Sequence, residues 1–239
     1  MNNYHLSIVI PAYNEEIKIE RDLSLAYAYL ATQPFKSEVI VVDDGSSDET
    51  YEIVKSLEPY YKDLRGIRYD INRGKGYAVK IGVLQARGDH ILFADAGACV
   101  PYIEMKKGLC LLQNGYDVAL GSRALAESQV LKKQPLYRQF GSRAFGLVMR
   151  SIIEVNPIQD TQCGFKIFKR EAANAIFNRN KIDGFMFDIE IILIAKKLGY
   201  RIKEFPVTWK NDPDTRFNPI RGSIRNLKEL WKIKFVNRK

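Results

Sequence analysis

The sequence has few of the side chains that most often carry acid–base or nucleophilic chemistry. Among its 239 residues are two histidines, His5 and His90, and three cysteines, Cys99, Cys110 and Cys163. No two of these cysteines form a C-x-x-C pair, and no G-x-S-x-G motif is present. A disulfide framework, a zinc site built from C-x-x-C pairs, histidine-based catalysis and a serine nucleophile are therefore all disfavoured.

Two large nucleotide-binding classes are also disfavoured by absence. No G-x-G-x-x-G follows the first predicted strand, and no G-x-x-x-x-G-K-[ST] occurs anywhere, which argues against a dinucleotide oxidoreductase and a P-loop enzyme. No apolar run reaches the roughly 18 residues of a membrane span, and the N-terminus does not resemble a signal peptide. We expect a cytoplasmic protein that meets a membrane only at its surface.

Positive charge is in excess. The chain carries 37 Lys and Arg against 28 Asp and Glu, a formal charge of +9. Such an excess favours anionic partners such as phosphates, nucleic acid or an acidic membrane surface. Nucleic acid would account for the charge but not for the acidic residues that follow the predicted strands, so we do not expect it as a partner.

Short apolar runs alternate with helical patterns along the chain. The predicted strands are residues 6–10, 38–42, 90–94, 118–120 and 201–207. The predicted helices cover residues 19–30, 79–86, 136–153 and 183–199, and a capping box at 46–49 indicates one more. This alternation predicts one compact α/β unit, with a mostly parallel sheet flanked by helices on both faces.

Polar residues follow three of the predicted strands, at positions 11–15, at Asp43 and Asp44, and at Asp95. Ligands of parallel sheets gather beyond the carboxyl ends of the strands, so these residues are expected to line one crevice. Asp43 and Asp44 are suited to accept hydrogen bonds from a base or ribose, although a turn and a helix cap would also explain them. Mg²⁺ often uses one or two protein carboxylates together with substrate phosphates, so Asp95 alone can serve.

Six segments, in order, resemble the family-two glycosyltransferases of the GT-A (Rossmann-like) fold. They are PAYNE at 11–15, VVDDGSSDET at 41–50, NRGKG at 72–76, FADAG at 93–97, GSR at 121–123 and DTQCGFKIF at 160–168. Within that family the chain is similar to the dolichyl-phosphate glucosyltransferases and the dolichol-phosphate mannose synthases. The resemblance covers nearly the whole chain and implies the GT-A fold.

The resemblance implies a role for each matching residue. The donor-binding residues would be Pro11, Tyr13, Glu15, Asp43, Asp44, Lys75, Asp95 and Ala96. The acceptor-binding residues would be Arg123, Arg143, Gln162 and Lys166, and the catalytic residues Asp95, Arg123 and Asp188. The metal ligand would be Asp95. The family's acid-x-acid motif falls on residues 95–97, but its third position is Gly97, so Asp95 would be the one carboxylate on the metal.

The reaction implied is transfer of a hexose, with inversion, from a nucleotide diphosphate sugar to a polyprenyl (dolichyl-type) phosphate at the cytoplasmic membrane face. UDP-glucose is the favoured donor and GDP-mannose the alternative, with Mg²⁺ or Mn²⁺ as cofactor. Two other functions stay open. One is transfer to a saccharide hydroxyl, with Asp188 or Asp160 as general base, and the other is binding of nucleotide sugars without turnover, as Gly97 suggests.

The C-terminal residues predict a membrane contact. Residues 1–218 would form the glycosyltransferase domain, and residues 219–239 a basic amphipathic helix that belongs to the same unit. Its predicted apolar face carries Ile220, Ile224, Leu227 and Trp231. A basic amphipathic helix with tryptophan is typical of an interfacial anchor, although the same face could instead pack against the sheet.

Overall fold

The computed structural model describes residues 4–132, 157–211, 226 and 228–233. The strands are β1 Tyr4–Ala12, β2 Ser37–Asp43, β3 Leu64–Arg68, β4 Gly88–Ala94, β5 Val118–Ser122, β6 Gln129–Lys132, β7 Phe165–Lys169, β8 Ile202–Pro206 and β9 Thr208–Lys210. The helices are α1 Ile19–Leu30, α2 Thr50–Leu57, α3 Lys75–Gln85, α4 Met105–Gln113, α5 Arg170–Phe177 and α6 Phe187–Lys197, with a 3₁₀ turn at Tyr102–Glu104.

Seven strands form the main sheet, in the order β3-β2-β1-β4-β7-β5-β8. All neighbours are parallel except β7, which runs antiparallel to both β4 and β5. Strands β6 and β9 form a separate parallel pair. The α/β fold with a mostly parallel sheet is confirmed. Two strands of the main sheet were not predicted: β3, which is only partly buried, and β7, in which lysines break the apolar run.

Both faces of the main sheet are buried, and successive residues of β1 show this. Val9 belongs to the hydrophobic cluster under α3, α5 and α6, whereas Ile8 and Ile10 belong to the cluster under α1 and α4. All three side chains are fully buried. Each such side chain contributes about 1.5–3 kcal/mol relative to an exposed position, so the sheet is a rigid base for whatever its strand ends carry.

The start of α2 differs from the prediction. The helix begins at Thr50, and its N-cap residue Glu49 makes no side-chain cap hydrogen bond. The Ser46 side chain instead donates to the Asp43 carboxylate, while Asp48 Oδ1 accepts from Thr50 N at 3.1 Å. The predicted capping box was therefore wrong, because the serine is engaged with the preceding strand end. The predicted helix at 136–153 lies outside the described residues.

Of the predicted C-terminal helix, the structure describes residue 226 and residues 228–233, which are helical. Leu230 and Ile233 are buried in the cluster that contains α6. Trp231 is 59% exposed, and Lys228 and Lys232 are also exposed. The residues that pack are thus not the predicted apolar face, of which Trp231 is the described member. No helix in the described part of the chain is long and apolar enough to cross a membrane.

Candidate active site

The carboxyl ends of β2, β1 and β4 lie side by side, as the sequence predicted. They bring together Asp43 and Asp44, the segment at 11–15, and Asp95. The Asp44 amide donates to the Ala12 carbonyl at 2.8 Å, which ties the first two strand ends to each other. Together these residues form one edge of a crevice, called here the strand-end crevice.

Asp44 is used within the protein. Its carboxylate, 3% exposed, accepts hydrogen bonds from Tyr69 Oη at 2.7 Å, Asn72 Nδ2 at 2.9 Å, Arg73 N at 2.8 Å and Gly74 N at 2.9 Å. Burial raises the pKa of the Asp44 carboxyl, and these hydrogen bonds oppose that rise. Asp44 therefore fixes the loop that leads into α3, and its predicted contact with the donor stays a prediction.

Asp43 is the neighbour with an unused oxygen. Its Oδ1 accepts from Ser46 N at 3.0 Å. Its Oδ2 is buried and accepts no hydrogen bond within the described residues, with Arg68 Nε at 3.5 Å. An unsatisfied buried acceptor costs about 1–3 kcal/mol, and more when charged. Of the two adjacent carboxylates, Asp43 is therefore the one with an oxygen that a ligand N–H could still satisfy, and its contact with a base stays a prediction.

The segment after β1 is held against the start of α2. Asn14, which the sequence analysis did not single out, has a φ of 54° and donates from its backbone N to Ser46 Oγ at 2.9 Å. The Glu15 amide donates to Thr50 Oγ1 at 2.8 Å. Tyr13 is 38% exposed at the mouth of the strand-end crevice. Pro11, by contrast, is buried within β1 and contributes shape rather than a polar contact.

Asp95 contacts the Lys75 ammonium through its side chain and the Gly164 backbone through its amide. Lys75 Nζ, on the first residue of α3, is 2.6 Å from Asp95 Oδ1, and the two side chains are 18% and 34% exposed. The Asp95 amide donates to the Gly164 carbonyl at 2.9 Å. A Cβ on Gly164 would lie 2.0 Å from the Asp95 carboxyl carbon, so any side chain at this position would displace the Asp95 carboxylate. Gly164 lies within the segment DTQCGFKIF, but the sequence assigned no role to it.

Lys75 is held in its charged form. Burial by itself would lower the pKa of this ammonium, but the Asp95 and Asp188 carboxylates outweigh burial and raise the pKa above its usual value. Lys75 and Asp95 thus form an ion pair at the point where the sequence predicted a donor diphosphate and a metal.

The turn after Asp95 accounts for the missing second acid. Gly97 has a φ of 99° and Ala98 a φ of 45°, while Ala96 is partly buried. The Gly97 amide donates to the carboxylate of Asp22, which is 1% exposed on α1. A side chain at φ near 99° would strain the backbone, so this turn disfavours an acid at position 97. Asp22 is a positioning residue that the sequence analysis missed, since it looks like an ordinary polar residue of α1.

A second ion pair lies beneath the first. Lys166 Nζ is 2.5 Å from Asp188 Oδ1 and donates to the Cys163 carbonyl at 2.7 Å. Lys166 has no exposed surface and Asp188 is 3% exposed. Burial raises the pKa of Asp188, and Lys166 and Lys75 oppose the rise. The predicted acceptor contact of Lys166 is not supported by this placement, because its ammonium is buried on Asp188. Asp188 is likewise underneath the crevice surface.

Arg123 follows β5 and is fixed by Asp160. The Arg123 Nε and N donate to Asp160 Oδ2 at 2.7 and 2.9 Å, and Nη2 donates to Oδ1 at 2.8 Å. Despite burial, Asp160 raises the pKa of Arg123, and Arg123 lowers that of Asp160. The guanidinium lies over the Trp209 ring and its side chain is 29% exposed. Gln162 is exposed nearby in sequence, and Arg143 lies outside the described residues.

The site groups bear on two kinds of chemistry, nucleophilic attack by a cysteine and binding of a divalent metal ion. Burial raises the pKa of the Cys163 thiol to about 12, so it is a packing residue and not a nucleophile. In the part of the chain that the structure describes, no three His, Cys, Asp or Glu side chains lie close enough together to hold a metal ion. Asp95 offers hard oxygen ligands, which suits a divalent ion that takes its other ligands from a substrate diphosphate and water.

The profile of the family described as "Glycosyl transferase family 2" matches residues 7–177. A dolichyl-phosphate beta-glucosyltransferase from Dictyostelium discoideum is 33% identical over 247 residues, covering 98% of this chain and 75% of the relative. A human protein of the same name is 36% identical over 242 residues, covering 96% of this chain and 74% of the relative.

Solved structures share the fold at lower identity. Glucosyl-3-phosphoglycerate synthase from Mycobacterium tuberculosis, in complex with Mn²⁺, UDP-glucose and phosphoglyceric acid, superposes with a TM-score of 0.70. It is 17% identical, with 98% of this chain and 79% of that chain covered. Mannosyl-3-phosphoglycerate synthase from Rubrobacter xylanophilus also gives a TM-score of 0.70 at 17% identity, covering 97% and 73%. The predicted GT-A fold is confirmed.

Proposed function

Because the chain belongs to glycosyl transferase family 2 and is a glycosyltransferase, we propose that it transfers glucose, with inversion, from UDP-glucose to a polyprenyl (dolichyl-type) phosphate. The observation that carries the proposal is the similarity, over 96–98% of the chain, to relatives named dolichyl-phosphate beta-glucosyltransferase. The arrangement of the strand-end crevice supports it, with separate groups suited to the base, the diphosphate and an acceptor phosphate.

The donor would lie across the ends of β2, β1 and β4. Asp43 Oδ2 would accept the imide N–H of the base, with Tyr13 and Glu15 on the neighbouring segment. The Lys75 ammonium would contact the diphosphate. A divalent metal, Mg²⁺ or Mn²⁺, held by Asp95 next to Ala96 would supply Lewis-acid stabilisation of the departing nucleoside diphosphate. Guanine also carries a ring N–H, so Asp43 by itself does not exclude GDP-mannose.

The acceptor phosphate would bind on the Arg123 side. Asp160 fixes the guanidinium in one orientation through Nε and Nη2, so Nη1 and the second hydrogen of Nη2 would be the donors to the phosphate oxygens. Gln162 and Arg143 stay as proposed acceptor contacts. A phosphate monoester is already anionic near neutral pH, so its attack needs positioning more than a strong base. This fits the placement of Asp188, which is buried on Lys166 and acts as a positioning residue.

Membrane contact is proposed through the C-terminal helix. We assign residues 1–218 and 219–239 to one unit, since Leu230 and Ile233 are buried in the core of the main domain. Trp231 is exposed together with Lys228 and Lys232, a combination suited to an anionic lipid surface. The protein would then work as a peripheral enzyme at the cytoplasmic face, where a lipid-linked acceptor can enter from the membrane.

The test is transfer from labelled UDP-glucose and GDP-mannose to a short-chain polyprenyl phosphate and to a free saccharide, with Mg²⁺, Mn²⁺ or EDTA. A metal-dependent glucosyl lipid would support the proposal. Label on the saccharide alone would replace the lipid acceptor, and donor binding without any transfer would indicate a binding protein. Arg123→Gln should abolish lipid transfer while donor affinity is kept. Arg201→Gln, at the opposite end of the sheet beside β8, is the matched control and should stay active.

A further inference from the structure

Three ion pairs lie around the strand-end crevice, and in each of them the cation already has a carboxylate partner. Lys75 is paired with Asp95 at 2.6 Å, Lys166 with Asp188 at 2.5 Å, and Arg123 with Asp160 at 2.7 Å. Three cations therefore face three carboxylates. In the described part of the chain no further acidic group joins Asp95 to make a site for a divalent cation.

This balance makes either ligand unfavourable by itself. A divalent cation arriving alone would have to share the one Asp95 carboxylate with the Lys75 ammonium, and would leave an uncompensated double positive charge. A nucleoside diphosphate arriving alone would bring its negative charge up to Asp95. Arriving together, the cation and the diphosphate neutralise each other, and Lys75 can exchange its contact with Asp95 for one with a phosphate oxygen. Charges at a few ångströms in a partly buried site interact by several kcal/mol.

We propose that Lys75 occupies the metal-ligating oxygen of Asp95 until the donor binds, so that the divalent cation and the nucleoside diphosphate bind as a coupled pair. The inference rests on the proposed function. Gly97 is consistent with this inference, because an acid at position 97 would provide a second carboxylate and allow the cation to bind in the absence of the donor. The Asp95 side chain is 34% exposed and that of Lys75 is 18% exposed, so water can reach the carboxylate when the ammonium leaves it.

The coupling can be measured without turnover. Mn²⁺ is titrated into the full chain, alone and with saturating UDP, and free Mn²⁺ is followed by its electron paramagnetic resonance signal. UDP should tighten Mn²⁺ binding by at least about fivefold, and Mn²⁺ should tighten UDP binding by the same factor, since binding linkage is reciprocal. Equal Mn²⁺ affinity with and without UDP would overturn the inference, and this result does not depend on any variant folding.

Lys75→Met then tests the residue itself. Removal of the ammonium should tighten Mn²⁺ binding in the absence of UDP relative to wild type, and should reduce the factor gained from UDP. Lys75→Arg, which keeps the charge, should behave as wild type. Lys80→Met is the matched control on the same helix, because Lys80 Nζ donates to the Asn180 carbonyl at 2.7 Å and its removal leaves the Asp95–Lys75 pair intact.

The outcomes separate this inference from the proposed function. If UDP binds and glucose is transferred, but Lys75→Met leaves the affinity for Mn²⁺ alone unchanged, the inference is wrong and the proposed function stands. If UDP fails to bind wild type under any metal condition, the donor assignment fails and the inference fails with it. Tighter binding of Mn²⁺ alone to Lys75→Met than to Lys80→Met supports the exchange of partners.

Discussion

Replacing Lys166 by methionine should destabilise the protein strongly. The change removes the cation that pairs with Asp188 at 2.5 Å while both residues are buried. Removing one partner of a buried pair costs roughly 3–5 kcal/mol, because the Asp188 carboxylate would lose its hydrogen-bonded cation and keep only the electrostatic influence of Lys75. That is a large share of the 5–15 kcal/mol by which a typical domain is stable. Urea unfolding followed by circular dichroism gives the free energy of unfolding directly.

The double variant Lys166→Met/Asp188→Asn tests whether the unpaired Asp188 carboxylate causes the destabilisation. With both charges gone, the loss should fall to about 1–3 kcal/mol, the cost of the Cys163 carbonyl that has lost its donor. Lys169→Met, on the same strand, is the control. Lys169 is 36% exposed in its pair with Asp117, and exposed pairs contribute at most about 1 kcal/mol.

The free energy of unfolding of Lys166→Met should depend on pH in a defined direction. Burial already raises the pKa of Asp188 above its unfolded value, and Lys166 opposes that rise. Without the lysine the folded-state pKa should rise further, so the ionised carboxylate penalises the native state at neutral pH, and the penalty should shrink as the pH falls through that pKa. A loss below about 1 kcal/mol for Lys166→Met, or a double variant as unstable as the sum of the singles, would refute the account.

Three further outcomes are expected. Gly164→Ala should displace the Asp95 carboxylate and lower the transfer rate roughly 10²-fold with little change in melting temperature, whereas unchanged kinetics would contradict the contact. At pH 8, iodoacetamide should modify the exposed Cys110 and leave Cys163 unmodified, as read by peptide mass spectrometry, because burial raises the pKa of Cys163 to about 12. Replacing the two exposed lysines of residues 228–233 by glutamine should weaken cosedimentation with anionic vesicles by about 2 kcal/mol, roughly thirtyfold, and leave neutral vesicles unaffected.

The sequence patterns located the crevice well but did not rank the groups in it. Asp43 and Asp44 looked equivalent, since both follow β2 directly. The structure separates them, because the loop at 69–74 closes over Asp44 and satisfies its carboxylate. That closure joins residues about 30 positions apart, and a local pattern carries no signal for it.

The parts missed by sequence reasoning depend on tertiary packing. Lys166 was predicted to bind the acceptor phosphate, but β7 inserts between β4 and β5 and buries it opposite Phe93 and Leu120. Gly164 and Asp22 are ordinary in composition, and they become specific only when Asp95 and Gly97 lie against them. Segment order and resemblance thus predicted the fold, whereas the charge pairing required the three-dimensional arrangement.

The antiparallel strand β7 also fixes a distance. It is hydrogen-bonded to β4 on one side and to β5 on the other, so the strand that delivers Asp95 and the strand that delivers Arg123 are two interstrand spacings apart. At about 4.8 Å per spacing this is roughly 10 Å, and a hydrogen-bonded sheet cannot shorten it. With the donor at Asp95 and the acceptor phosphate at Arg123, as proposed, the two reactants would have to span this distance across β7 themselves. The length of the sugar-bearing diphosphate, and not a closing of the sheet, would then determine whether they meet.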